Sequence, residues 1–232
     1  MADRDLTGIL LVGGASTRFG SAKALARLGG DTLAARAWRV LGDVCQERIA
    51  VGKVADGLEL PFPLLDDDAD VRAPLAGLVA GLRAARHELC VVLPVDCPLV
   101  DANLLRELVA RCHGDAAVPQ TGPLPGAYRR SALAVLERRL AAGELALRGA
   151  AAELDATVVE LDPGALANVN TPADLGAVAR RLAGEGQPPH AGDRPAAERE
   201  RHDRHREADE DQASLHELDA TPQPRTGHRP RD

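Results

Sequence analysis

The chain has 232 residues, a net charge of −7 and 45% apolar residues, enough for one α/β domain with a real core. The acidic balance argues against a nucleic-acid surface or a polybasic membrane patch, and no apolar stretch approaches the roughly 20 residues of a membrane span. Met1-Ala2-Asp3-Arg4-Asp5 does not read as a secretory signal, so a cytoplasmic location is expected.

In chain order, Gly8 to Val12 is a continuous apolar run cut off by Gly13-Gly14, the pattern of a central parallel strand covered on both faces. Thr32 to Leu41 carries Leu33, Ala37, Val40 and Leu41 at helical spacing, with Asp31 or Thr32 as its cap. Arg48 to Val51 and Leu60 to Leu65 read as short strands. A helix from Ala73 to Arg86 tolerates Pro74 in its first turn. Leu89 to Leu93 is a second buried strand, followed by an amphipathic helix over Asn103 to Arg111. The strand Ala116 to Val118, the helix Ser131 to Leu140, the strand Thr157 to Leu161 and the helix Pro172 to Leu182 complete the series. This alternation predicts an α/β fold, a Rossmann-like three-layer sandwich with a mostly parallel sheet.

Composition changes near Gly184, so the sequence predicts a domain over residues 1–184 and a charged tail over 185–232. The tail holds eight Arg, twelve Asp plus Glu and five of the seven histidines, but only Leu215 and Leu218 as large aliphatics. Such a segment cannot bury enough apolar surface to offset its ordering entropy, and is expected to be disordered. His202, His205 and His216 read as part of a solvated face rather than as metal ligands. Cys45, Cys90, Cys97 and Cys112 form no C-x-x-C pair and read as reduced thiols.

The candidate chemistry begins in the glycine-rich loop after the first strand. Gly13, Gly14 and Gly20 let the backbone approach a ligand closely, Arg18 offers a planar fork to phosphate, and Lys23 a point charge. Subtraction leaves 26 arginines beside only two lysines, Lys23 and Lys53, so a Lys at the end of this loop is a departure from the chain's habit. The alternative is a plain turn with Lys23 solvated. The spacing fits neither a P-loop, because Lys23 stands three residues after Gly20 and precedes Ala24, nor the G-x-G-x-x-G dinucleotide fingerprint.

Ligands of open α/β sheets bind beyond the carboxyl ends of the strands. Besides the loop, that rule selects Asp66, first of the acidic run Asp66-Asp67-Asp68-Ala69-Asp70, and Asp96 in Leu93-Pro94-Val95-Asp96-Cys97-Pro98. A carboxylate between prolines suits Mg²⁺, which takes one or two carboxylates plus substrate phosphates. A turn or capping role is the alternative for each.

The run LVGGASTRFGSAK resembles the signature loop of the molybdenum cofactor guanylyltransferase family. PVDCP is similar to the family's P-x-D-x-P, APLAGL to its G-P-L-A-G, GPLPGAYRRS to its H-P-L-P-G-L-Y-R-R and NVNTP to its N-x-N-T-P, so the likeness spans Gly8 to Leu182. Phe19, Ala22 and Lys53 depart from the family pattern, the last where many members carry an Asn near the base. The resemblance implies a GT-A-like nucleotidyltransferase fold, Mg²⁺ as cofactor, and GTP and the molybdopterin cofactor as substrates. It implies Arg18, Lys23 and Asp96 as catalytic, with Asp96 on the metal, and Leu11, Val12, Gly13, Gly14, Lys23, Asp66 and Asp96 around the nucleotide. Tyr128, Arg129, Asn168 and Asn170 are assigned to the acceptor side. Other readings stay open: transfer of CMP to molybdopterin, transfer of a nucleotide to a sugar phosphate or phospholactate, or a non-enzymatic escort. The escort would deliver cofactor to a molybdoenzyme, or work with other cofactor-biosynthesis proteins, through the tail.

Overall fold

A computed structural model describes residues 5–13 and 23–184. They fall in the first of the two units, Met1–Gly184 and Glu185–Asp232, into which the chain divides. The expectations for Gly14, Arg18 and the charged tail lie outside the described residues.

The sheet strands are β1 (Leu6–Leu11), β4 (Glu47–Gly52), β5 (Leu64–Asp66), β6 (Leu89–Pro94), β7 (Ala116–Pro119), β8 (Gly126–Arg129) and β9 (Ala156–Val159), while β2 (Arg27–Leu28) and β3 (Asp31–Thr32) form a small separate ribbon. The helices are α1 (Leu33–Gly42), α2 (Pro74–Ala84), α3 (Ala102–Arg111), α4 (Leu133–Ala141), α5 (Leu147–Ala151) and α6 (Pro172–Leu182). The seven-stranded order is β5-β4-β1-β6-β8-β7-β9. Every pairing is parallel except those of β8, which runs antiparallel to both β6 and β7.

Three layers follow from alternation along β1. Leu6, Leu10 and Val12 face one way and pack with Leu33, Ala37 and Leu41 of α1, Leu104, Leu105 and Leu108 of α3, and Val178 of α6. Ile9 and Leu11 face the other way and pack with Leu75, Leu78, Val79 and Leu82 of α2, Leu136 of α4, and Leu147 of α5. Two small residues let α2 lie close on β1: a Cβ at Gly81 would stand 2.6 Å from Ile9 Cγ2, and one at Gly77 would stand 3.1 Å from Leu11 Cδ2.

The caps explain the helix starts. Thr32 accepts from Ala35 N at 3.1 Å to open α1, and Asp101 from Leu104 N at 2.9 Å to open α3. Thr171 and Asp174 form a reciprocal capping box on α6. Only Leu64 and Leu65 of the expected strand Leu60–Leu65 join the sheet, because Pro61 and Pro63 lack the N–H that a ladder needs. Tyr128 lies in strand β8, an element absent from the series expected from sequence.

Candidate active site

The parallel strands β1, β4, β5 and β6 all end on the same edge of the sheet, and their last residues build a cleft. Backbone bonds tie those ends together: Val12 N donates to Val51 O at 2.9 Å and Val95 N to Leu11 O at 3.0 Å.

The larger cavity, about 370 Å³, is lined by Leu11, Val12, Gly13, Lys23, Pro74, Pro94, Val95, Asp96, Cys97, Leu124 and Asn168. That is the size of an ordinary small-molecule site. Lys23 opens a short 3-10 turn, Lys23–Leu25, and its ammonium reaches Asp96 Oδ2 at 3.5 Å and Asn170 Oδ1 at 3.0 Å. Residues 73 and 147 positions apart thus meet at one ammonium. The Asp96 segment is mounted rigidly: Arg36 Nε donates to Pro98 O at 2.8 Å, and Val169 N donates to Asp96 O at 2.8 Å. α2 begins at Pro74 with no side-chain cap, so the positive end of its dipole lies at the cleft.

Cys97 has a role that the sequence reading missed. Burial, with the adjoining Asp96 carboxylate second, pushes its thiol well above the usual range. The neutral thiol donates to Asn168 Oδ1 at 3.0 Å, which fixes that amide at the cavity wall.

A smaller hollow adjoins the first, sharing Leu11, Gly13 and Pro74 with it. It is completed by Val51, Gly52, Lys53, Asp67, Arg72, Ala73 and Gly77. Lys53 pairs there with Asp67. Both lysines of the chain therefore end on a carboxylate in this cleft, and their rarity was the signal that could have found the second pair. Asp66, selected by position, lines neither cavity. Its carboxylate accepts from Asp68 N at 2.9 Å and Val54 N at 2.8 Å, and those bonds hold its pKa below the usual range. It shapes the loop that presents Asp67.

The four residues assigned by resemblance to the acceptor side separate into two pairs. Asn168 and Asn170 stand at the cleft, as described. Tyr128 is fully buried among the residues beneath α2 and α4, donating its hydroxyl to Pro123 O at 2.6 Å. Arg129 Nη2 donates to Cys112 O at 3.3 Å. Neither lines either of these two cavities, because β8 is a sheet strand whose side chains are committed to the layers beside it. The four cysteines are free thiols.

Among the described residues no helix is long and apolar enough to cross a membrane. The profile of the MobA-like NTP transferase domain matches residues 8–158. A probable molybdenum cofactor guanylyltransferase of Chloroflexus aggregans is 34% identical, over 73% of this chain and 91% of its own length. A molybdenum cofactor guanylyltransferase of Burkholderia ambifaria is 38% identical, over 76% of this chain and 96% of its own. Among solved structures, the molybdopterin-guanine dinucleotide biosynthesis protein A of Archaeoglobus fulgidus superposes with a TM-score of 0.66 at 24% identity, covering 77% of this chain and 99% of that one. The 2-C-methyl-D-erythritol 4-phosphate cytidylyltransferase of Thermus thermophilus gives 0.59 at 20% identity, covering 75% and 97%. These two likenesses bear on the fold.

Proposed function

The chain belongs to the MobA-like NTP transferase family, and from that premise we propose that it moves GMP from GTP to the terminal phosphate of the molybdopterin cofactor, with Mg²⁺ and in the cytoplasm. The reading draws its main support from the meeting of Lys23, Asp96 and Asn170 at the mouth of a 370 Å³ cavity. An acceptor phosphate oxygen attacks the α-phosphorus, a new P–O bond forms, and the bond to the bridging oxygen breaks to release pyrophosphate. No general base is demanded, since a phosphate nucleophile is already ionised at neutral pH. The chain's task is positioning and charge neutralisation.

Lys23 is poised for the second task. Its 3.5 Å contact with Asp96 is long for a charged hydrogen bond, so the ammonium can turn N–H groups to triphosphate oxygens without breaking a tight ion pair, while the 3.0 Å bond to Asn170 occupies one of its three N–H groups. Arg18, outside the described residues, belongs to the same proposal.

The donor set fits Mg²⁺. Asp96 offers a hard carboxylate whose Oδ1 has only a weak 3.7 Å contact from Cys97 Sγ, and among the described residues no three His, Cys, Asp or Glu gather into an all-protein cage. Asp96 would hold the ion, which supplies charge stabilisation on phosphate oxygens. Asn168 and Asn170 would face the acceptor, and residues 1–184 would carry catalysis. The test is a panel of GTP, CTP, ATP and UTP with molybdopterin cofactor, read by pyrophosphate release. Release with GTP in preference to the others is expected; a preference for CTP, or release only with a sugar phosphate or phospholactate as acceptor, overturns the assignment.

A further inference from the structure

One contact at the larger cavity stands apart from the other thiol contacts of the chain. Cys97 Sγ lies 3.0 Å from Asn168 Oδ1, whereas Cys90 reaches His87 O at 3.8 Å, and Cys112 reaches Ala127 O and Gly114 O at 3.8 and 3.9 Å. Cys97 is buried, and a thiol is protonated at neutral pH, so it has one S–H to donate. Its second neighbour, Asp96 Oδ1, stands at 3.7 Å, which leaves the proton with Asn168.

That bond decides which end of the Asn168 amide meets the cavity. A carboxamide has an acceptor end and a two-donor end. With Oδ1 turned onto the thiol, Nδ2 has no partner among the described residues, and Asn168 is an exposed residue of the cavity wall. The reversed amide would set N–H against S–H and turn a carbonyl oxygen toward the substrate. Asn170 is oriented alike, its Oδ1 accepting from Lys23 at 3.0 Å, but that ammonium is also the group available to a triphosphate. The thiol has no such second duty, so Asn168 keeps its orientation when Lys23 turns. The backbone is held separately, by Val169 N on Asp96 O at 2.8 Å. Removing the thiol therefore frees the Asn168 side chain and leaves its segment in place.

We propose that Cys97 is a positioning residue for the acceptor: its S–H holds Asn168 with the Nδ2 protons toward the cavity, as donors to the oxygens of a phosphate monoester. An ionised phosphate offers acceptor oxygens only, so an amide presenting its carbonyl would repel it. The inference rests on the nucleotidyl-transfer reading and adds to it the group that orients an acceptor contact.

Steady-state kinetics with GTP and molybdopterin cofactor separate positioning from packing. Cys97→Ala is expected to raise the acceptor KM about tenfold, the scale of one hydrogen bond to a charged group, with the GTP KM within about twofold. Cys97→Ser keeps a single donor proton and is expected to stay within about threefold of the unmodified acceptor KM. In an Asn168→Ala background, Cys97→Ala should add no further rise, because both changes remove one interaction. An unchanged acceptor KM in Cys97→Ala, an equal rise for GTP, no rescue by serine, or additive losses overturns the proposal. Infrared spectroscopy keeps the test sound should the Cys97 variants fold poorly: the lowest S–H stretching band of the unmodified protein is expected to rise in Asn168→Ala, and an unmoved band overturns the bond. If no triphosphate supports turnover, nucleotidyl transfer falls, and calorimetry with molybdopterin cofactor replaces KM. Affinity about tenfold weaker in Cys97→Ala then sustains the positioning role, and equal or absent binding overturns it.

Discussion

At the amino ends of the central strands Thr7, Glu47, Arg86 and His87 form a closed network, whereas at the carboxyl ends Lys23, Asp96, Lys53 and Asp67 form an open one. Thr7 is fully buried; its hydroxyl donates to Glu47 Oε2 at 2.7 Å and, having one proton, accepts from His87 Nδ1 at 3.0 Å. Glu47 takes two further bonds, from Arg86 N at 2.9 Å and Arg86 Nε at 2.7 Å. The opposite end keeps a long ion pair, a carboxylate oxygen without a partner among the described residues, and space beside both. Saturated polar groups stabilise the fold, and unsaturated ones at a cavity remain available to a ligand.

The contrast is broken most sharply if substitutions at the two ends do the same thing. Asp96→Asn is expected to lower kcat at least about 100-fold, the scale of one key electrostatic contact, while the urea midpoint stays close to the unmodified value. Near-normal turnover would remove Asp96 from the reaction. Lys23→Ala is expected to weaken GTP binding by about tenfold or more in calorimetry, as for the loss of a charge-assisted hydrogen bond, and again to spare stability.

At the closed end the readouts exchange. Glu47→Ala is expected to cost about 2 kcal/mol in urea unfolding and to leave kcat/KM for GTP unchanged. Burial alone would raise the Glu47 pKa, but the bonds from the Thr7 hydroxyl and from the Arg86 backbone and guanidinium outweigh it and hold the carboxyl below its ordinary 4.5. A depressed folded pKa means that this contribution is fully present above 4.5 and is lost as pH falls through the lower folded value. Stability should therefore decline below about pH 4.5, and less steeply in Glu47→Gln; parallel curves would show that other carboxylates govern the acid limb. The smallest effect is assigned to Tyr128→Phe, about 1 kcal/mol of stability for one buried hydroxyl bond. A raised KM for the acceptor in that variant would return Tyr128 to the site.

The sequence displayed the framework better than the fine placement. α6 has the expected bounds, since Thr171, Pro172 and Asp174 encode its start locally, and β1 and β6 were legible as unbroken apolar runs. β8 was not, because four residues, Gly126–Arg129, are too few for a periodic pattern and follow two prolines. Position alone selected Asp66, and it does not reveal that Asp67 is the one of the two lining a cavity. Consecutive carboxylates at a strand end point in different directions, and which one meets the cavity depends on Lys53, which arrives from the neighbouring strand end. The Cys97 thiol that orients Asn168 depends on contacts 71 residues apart, which local spacing does not encode.

One bond described above sets a timetable for the molecule's birth. Val169 N grips Asp96 O, and Asn170 meets Lys23, although the matched family domain already ends at residue 158. A chain emerging from the ribosome can pair strands β1 to β8, the last of which ends at Arg129, before those two late residues appear. The cleft is closed only when the stretch leading into α6 comes back across the strand ends, so a nascent chain halted before residue 168 would hold most of a fold and none of the finished latch.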